Sequence, residues 1–228
     1  MDKEIFDYDK SASSPLDNYR LIEQGVFEYL RDEKILETDR LDTFAILYQK
    51  KFEALLPKVQ SLICNDLDKG NVYFVLITVS VYELFLEQGL SQEEAFVLTD
   101  RCINKPLRKY LVEGTRLLLD YSADPFDTLV AASKEREATY FGDSFDFERL
   151  MDDSYGYILH IKRCLFHETL RVLGRTGLQP ILCRMDLGWI NGIDPERHRV
   201  QFVRPVTFAS ADVCRMCFMR KEKEAIKD

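Results

Sequence analysis

The stretch from Tyr155 to Gly174, YGYILHIKRCLFHETLRVLG, puts a cysteine where an extended pattern gives way to a helical one. A thiol in the first turn of a helix faces unpaired backbone N–H groups and the positive end of the helix dipole, and both favour the thiolate. Cys164 is therefore a candidate nucleophile, with His167 one helical turn away. The same residue fits a plainer description, because a free cysteine at a strand end often serves as a small core side chain.

Two charged residues further on belong to the same argument. In the segment from His198 the even positions Val200, Phe202, Val206 and Phe208 form an apolar row, and Arg204 falls in it. A guanidinium on a core-facing side is costly unless paired, so Arg204 should meet a buried carboxylate or an acidic ligand. A bulge at Pro205 that turns it to solvent is the alternative. Asp186, in CRMDLG, can orient a histidine or pair with Arg204; it also fits a capping or surface aspartate.

The cysteines raise a metal reading as well. Cys214 and Cys217 have C-x-x-C spacing, and Cys183 and Cys164 would complete four thiolates. Against this, VCRMCFM lacks the Gly or Pro of a zinc knuckle and alternates like a strand, which sends 214 and 217 to opposite faces. His160, Cys164 and His167 would approach one another only if the whole stretch were one helix. The expectation is no metal and no cofactor.

The elements that position these residues follow from periodicity. Tyr157, Leu159 and Ile161 alternate with Ile158, His160 and Lys162 up to Arg163, a half-buried strand; Leu165, Thr169, Val172 and Leu173 then recur at helical spacing to Gly174. Upstream, helices are expected from Ser14-Pro15 to about Arg31, over Leu41–Ile63 with Pro57 ending or kinking it, and over Val72–Leu86 closing at Gly89. Asp68 to Asn71 reads as a turn. Ser91 to Glu94 forms a capping box, Pro106 to Tyr121 is amphipathic through Leu107, Leu111, Leu118 and Leu119, and Asp124-Pro125 opens a helix to Ala138. Beyond it, Thr139–Phe141, Phe145–Met151 and Tyr155–Arg163 look like strands, followed by helices after Cys164 and over Leu178–Trp189, then strands over His198–Phe208 and Val213–Arg220.

Helices in succession followed by strands is an α+β ordering. It gives a helical N-terminal half (1–138), then a small antiparallel sheet with two helices packed on it (139–220), and a charged tail (221–228), together one compact unit. Residues 1–13 read as polar and loose, and the tail as frayed.

The chain has 228 residues, 46% hydrophobic and 31% charged, enough for a core without staples. A net charge of -8 with no basic run in the sequence argues against a nucleic-acid partner. Six scattered cysteines and an acidic start without an apolar stretch point to a reducing, cytoplasmic setting. The run Val72–Leu86 contains Glu83 and is short for a bilayer span, so it reads as a buried helix and no membrane partner is expected.

YILHIKRCLFHETLRVLG, then LCRMDLG, then FVRPVTFASADVCRMCF resembles the L-2-amino-thiazoline-4-carboxylic acid hydrolase family. Arg163-Cys164, Cys183, Asp186, Arg204, Thr207, Cys214 and Phe218 fall on its pattern in order, over about residues 155–220. Ala211 and Arg215 depart from it, standing where the family has a glycine and an aspartate. The helical first half offers no motif that matches.

The resemblance implies a hydrolase that opens a 2-aminothiazoline ring bearing a carboxylate to give a carbamoyl-cysteine. Cys164 would be the nucleophile or a water the attacking group, His167 or His160 would move protons, and Asp186 would orient the imidazole or activate water. Arg204 would clamp the carboxylate, with Arg163, His160, Thr207, Cys183 and Cys214 lining the substrate site. The expected partner is a small carboxylate-bearing molecule. The competing class is a non-catalytic acid-binding or thiol-sensing module, or an enzyme acting on a different heterocycle.

Overall fold

The computed structural model describes residues 14–221. The expectations for 1–13 and 222–228 lie outside the described residues.

Helix α1 (Pro15–Asp32) starts behind Ser14, whose hydroxyl accepts from the Asp17 N–H at 3.2 Å. Helix α2 (Thr38–Val59) carries Pro57 inside its last turn and continues as a 3-10 turn over Gln60–Leu62. Helix α3 (Asp66–Glu87) begins earlier than its apolar run, because the supposed turn at Asp68–Asn71 is its first turns. Asn65 caps it by accepting from the Asp68 N–H at 2.9 Å, and the Asp68 carboxylate accepts from the Cys64 N–H at 3.1 Å. Turn-forming side chains here start a helix instead of reversing the chain. Gly70 marks a close crossing: a Cβ there would stand 2.3 Å from the Pro15 carbonyl carbon.

Val72, Val75, Leu76, Ile77, Val79 and Val81 are all fully buried, so α3 is the axis of the helical layer. Among the described residues it is the one helix long and apolar enough to cross a membrane, and 78% of that window is buried inside the fold. Helix α4 (Gln92–Asn104) has both halves of its capping box, Ser91 and Glu94. Helix α5 (Arg108–Asp120) turns Leu119 inward but leaves Leu118 half exposed, so its apolar face is narrower than the leucine spacing suggests. Helix α6 (Pro125–Arg136) is capped by Asp124 and widens into a π-turn over Glu137–Phe141.

That π-turn occupies the place where strand was expected at Thr139–Phe141. The Phe141 ring packs on Phe145, Phe147 and Phe166, and the Arg136 guanidinium lies over the Tyr140 and Phe141 rings. Tertiary packing of these rings overrides their β-propensity. Glu137 also takes the Tyr157 hydroxyl and, at 2.5 Å, Arg149, tying the turn to the sheet.

The sheet has four antiparallel strands, β1 (Asp146–Asp152), β2 (Gly156–Arg163), β3 (Val200–Val206) and β4 (Cys214–Arg220), in the order β1-β2-β4-β3. Helix α7 (Leu165–Val172) follows β2 directly, and α8 (Gln179–Asp186) stops before Trp189. The face carrying Tyr157, Leu159, Ile161, Cys214 and Phe218 is buried. Phe74 of α3 meets Phe166 of α7 edge to face at 5.5 Å, and one apolar core runs from the helical layer to the sheet. The fold is α+β.

Candidate active site

Arg204 enters the core from β3, in the inward row of its alternation. A shift in register between Val203 and Val206 accompanies Pro205, yet the side chain stays inside, 8% exposed. Its Nη1 donates to Asp186 Oδ2 at 2.9 Å and its Nε to Cys214 Sγ at 3.1 Å. Burial disfavours the guanidinium charge, but Asp186 and the nearby sulfurs more than offset it, and its pKa is raised. Asp186 closes α8, and its second oxygen lies 3.9 Å from Arg136.

Cys164 is the N-cap residue of α7, at the junction of β2 and the helix. The amides of His167 and Phe166 face its sulfur and favour the thiolate, as the helix position predicts. Burial outweighs them and pushes the thiol up to about 12. The amides expected from the helix position are in place, and burial opposes them. Cys214, on β4, is pushed by burial to about 11 although Arg204 pulls the other way.

These groups line one cavity of about 20 Å³, room for about one water. Cys164, Cys183, Cys214, Asp186 and Arg204 form its polar part, and Phe141, Phe145, Phe147, Phe166 and Phe208 much of its apolar wall. Gln179, at the first position of α8, was not singled out by sequence. Its Nε2 donates to Cys183 at 3.3 Å, while its Oε1 is buried and has no partner among the described residues. The spacing Gln179–Cys183, one turn apart in a helix opening with Gln-Pro, is the signal that could have found it.

The remaining expected site residues lie elsewhere. His160 points to the opposite face of the sheet from Ile161, 3.9 Å from Glu148, because strand alternation separates it from the cavity. His167 does not line the cavity; its ring lies against Phe208, centroids 5.2 Å apart, with Nδ1 buried and unpartnered among the described residues. Arg163 donates to the carbonyls of Ser144 and Asp143, both at 2.8 Å, and so fixes the loop that carries Phe145. Thr207 holds the β3–β4 turn, its hydroxyl accepting from the Ala209 N–H at 3.2 Å. Cys217 faces away from Cys214 across β4, paired with Ile158 and Val203. No group of three or more His, Cys, Asp or Glu among the described residues is arranged to hold a metal ion.

A guanidinium, a carboxylate, an amide oxygen and three thiols converge on one small space, which in this conformation has room for about one water. The fold is an α+β scaffold that brings these groups together from the start of α7 and from α8, β3 and β4. The family model described as L-2-amino-thiazoline-4-carboxylic acid hydrolase matches residues 70–218, more than half of the chain, and the chain belongs to that family. The match starts in the first turns of α3, so it also takes in the part of the helical layer from α3 onward, where the sequence offers no motif. No curated protein and no solved structure matches the chain.

Proposed function

We propose that this protein is a hydrolase of a small, carboxylate-bearing cyclic amidine of the 2-aminothiazoline-4-carboxylate kind, with the sulfur–guanidinium cavity as its active site; at about 20 Å³ the cavity is closed to such a ring, so the reading requires the surrounding side chains to part when substrate enters. The observation that carries the reading is the convergence of Cys164, Asp186 and Arg204 on one cavity, in a chain of this family. Asp186 and Cys214 take up two of the five guanidinium donors, and the rest are available for a substrate carboxylate. Gln179 Oε1, buried and without a partner among the described residues, would accept from an amidine N–H.

Burial pushes the Cys164 thiol up and keeps it protonated at neutral pH. The proton must therefore leave as the sulfur attacks, and Asp186 is the carboxylate at the cavity that can take it. Sulfur adds to C2, the ring C–S bond breaks, and the ring sulfur leaves as a thiolate that recovers the proton. One water then hydrolyses the S-linked isothiourea and frees Cys164. The sum is addition of one water across the C2–S bond.

Burial of the thiol also favours a second reading, a binding module in which Arg204 captures an acid without turnover. Incubating the full chain with 2-aminothiazoline-4-carboxylate and following release of free thiol separates the two. Turnover by the wild type that falls on the order of 100-fold in Cys164→Ala supports the covalent hydrolase. Equal rates would replace it by direct attack of water, and binding without turnover would leave the acid-binding reading.

A further inference from the structure

A second cleft, of about 430 Å³, lies against α4, the start of α5 and the end of α8. Its size falls in the range of roughly 300–1,000 Å³ seen for small-molecule sites. Arg101, Lys105, Arg108 and Arg184 line it, and Arg204 reaches it as well as the sulfur cavity. Its one carboxylate, Asp100, is already engaged by Arg184 Nε and Asn104 Nδ2, both at 2.8 Å. Arg101, Lys105 and Arg108 make no ion pair among the described residues.

This concentration of cations goes against both the chain and the local helix. The protein as a whole carries -8. Arg108 is the first residue of α5, which has no acidic residue in its first turn and no side-chain cap. A cation at the positive end of a helix dipole is locally unfavourable. Such breaches of local rules are expected where function, not stability, selects the residue. Leu187, Ile190 and Phe202 give the cleft an apolar part beside the charges.

We propose that this cleft binds a small oxyanion carrying two or more negative charges, a phosphate ester or a polycarboxylate. The proposal goes beyond the hydrolase reading and does not need it: Arg101, Lys105 and Arg108, which carry it, lie outside the sulfur cavity, and Arg204, shared by both, is not counted among the anion's ligands.

The test is calorimetric titration of the full chain with pyrophosphate and, separately, with citrate, at about 0.01 M and about 0.15 M salt. The wild type should bind at least one of them saturably with one site. The tighter of the two identifies the source as phosphate or carboxylate. Arg101→Ser/Lys105→Ser/Arg108→Ser should weaken binding roughly tenfold or more; all three side chains are exposed, and Lys105→Ser alone serves if the triple variant does not fold. Cys164→Ala should bind like the wild type, so loss of turnover and loss of binding are read separately. Absence of saturable binding to the wild type, or equal affinity in the variants, would overturn the proposal.

Discussion

Arg204 Nη1 and Asp186 Oδ2 lie 2.9 Å apart with their side chains 8% and 15% exposed. Removing one partner leaves the other charge buried and unpaired. Asp186→Asn should therefore cost roughly 3–5 kcal/mol in denaturant unfolding, whereas Asp186→Leu with Arg204→Met should recover much of that loss while abolishing any turnover. A single variant as stable as the wild type would mean that the pair is open to water.

The six cysteines should not react alike. Cys64 is exposed, whereas Cys102, Cys164, Cys183 and Cys214 are buried. Under native conditions at neutral pH, iodoacetamide should modify Cys64 first and Cys164 more slowly than free cysteine, as mass spectrometry of peptides would show. Faster labelling of Cys164 would mean that the amides of Phe166 and His167 win over burial.

Stability should fall in alkali. Burial raises Cys102 and Cys164 to about 12 from an ordinary 9.0, Cys214 to about 11 and Tyr157 to about 12 from 10.0. Each raised group holds its proton more tightly in the folded chain. Its stabilisation is complete below the unfolded pKa and is lost as pH rises through the folded value. Thermal melts should therefore be unaffected by these groups up to about pH 8 and drop steadily from about pH 9 to about 12. A flat profile over that window would contradict the burial of these thiols.

Gly70→Ala tests the crossing of α1 over α3. The added carbon would meet the Pro15 backbone at 2.3 Å, and overpacking of this kind costs roughly 1–3 kcal/mol. Chemical denaturation should show that loss, although alanine is the better helix former. An unchanged or higher midpoint would mean that α1 yields easily.

Much of the architecture could be read from local signals. Ser14, Ser91 and Asp124 are N-caps whose side chains accept backbone amides as their types suggest, and of the two placements that the row in β3 leaves open for Arg204 the structure has the buried one, paired with Asp186. The misreadings came where distant contacts outweigh local preference. Asp68–Asn71 has turn composition, but Asn65 converts it into a helix start. Tyr140 and Phe141 have strand propensity, but an aromatic cluster and Arg136 hold them in a π-turn. His167 has the right spacing from Cys164, yet its ring rests on Phe208, a placement fixed by the β3–β4 turn. The basic cleft has no signature in the sequence, because Arg101, Lys105 and Arg108 are separated along the chain and Arg184 comes from another helix; only folding gathers them.

Helix α3 is shielded on its flanks by α1 and α2, both of which precede the residues shared with the family. A chain cut back to residue 70 would bare a segment with the length and hydropathy of a bilayer span. The two leading helices therefore cover apolar surface that would otherwise face water, alongside α4 and α7 on the other sides of α3.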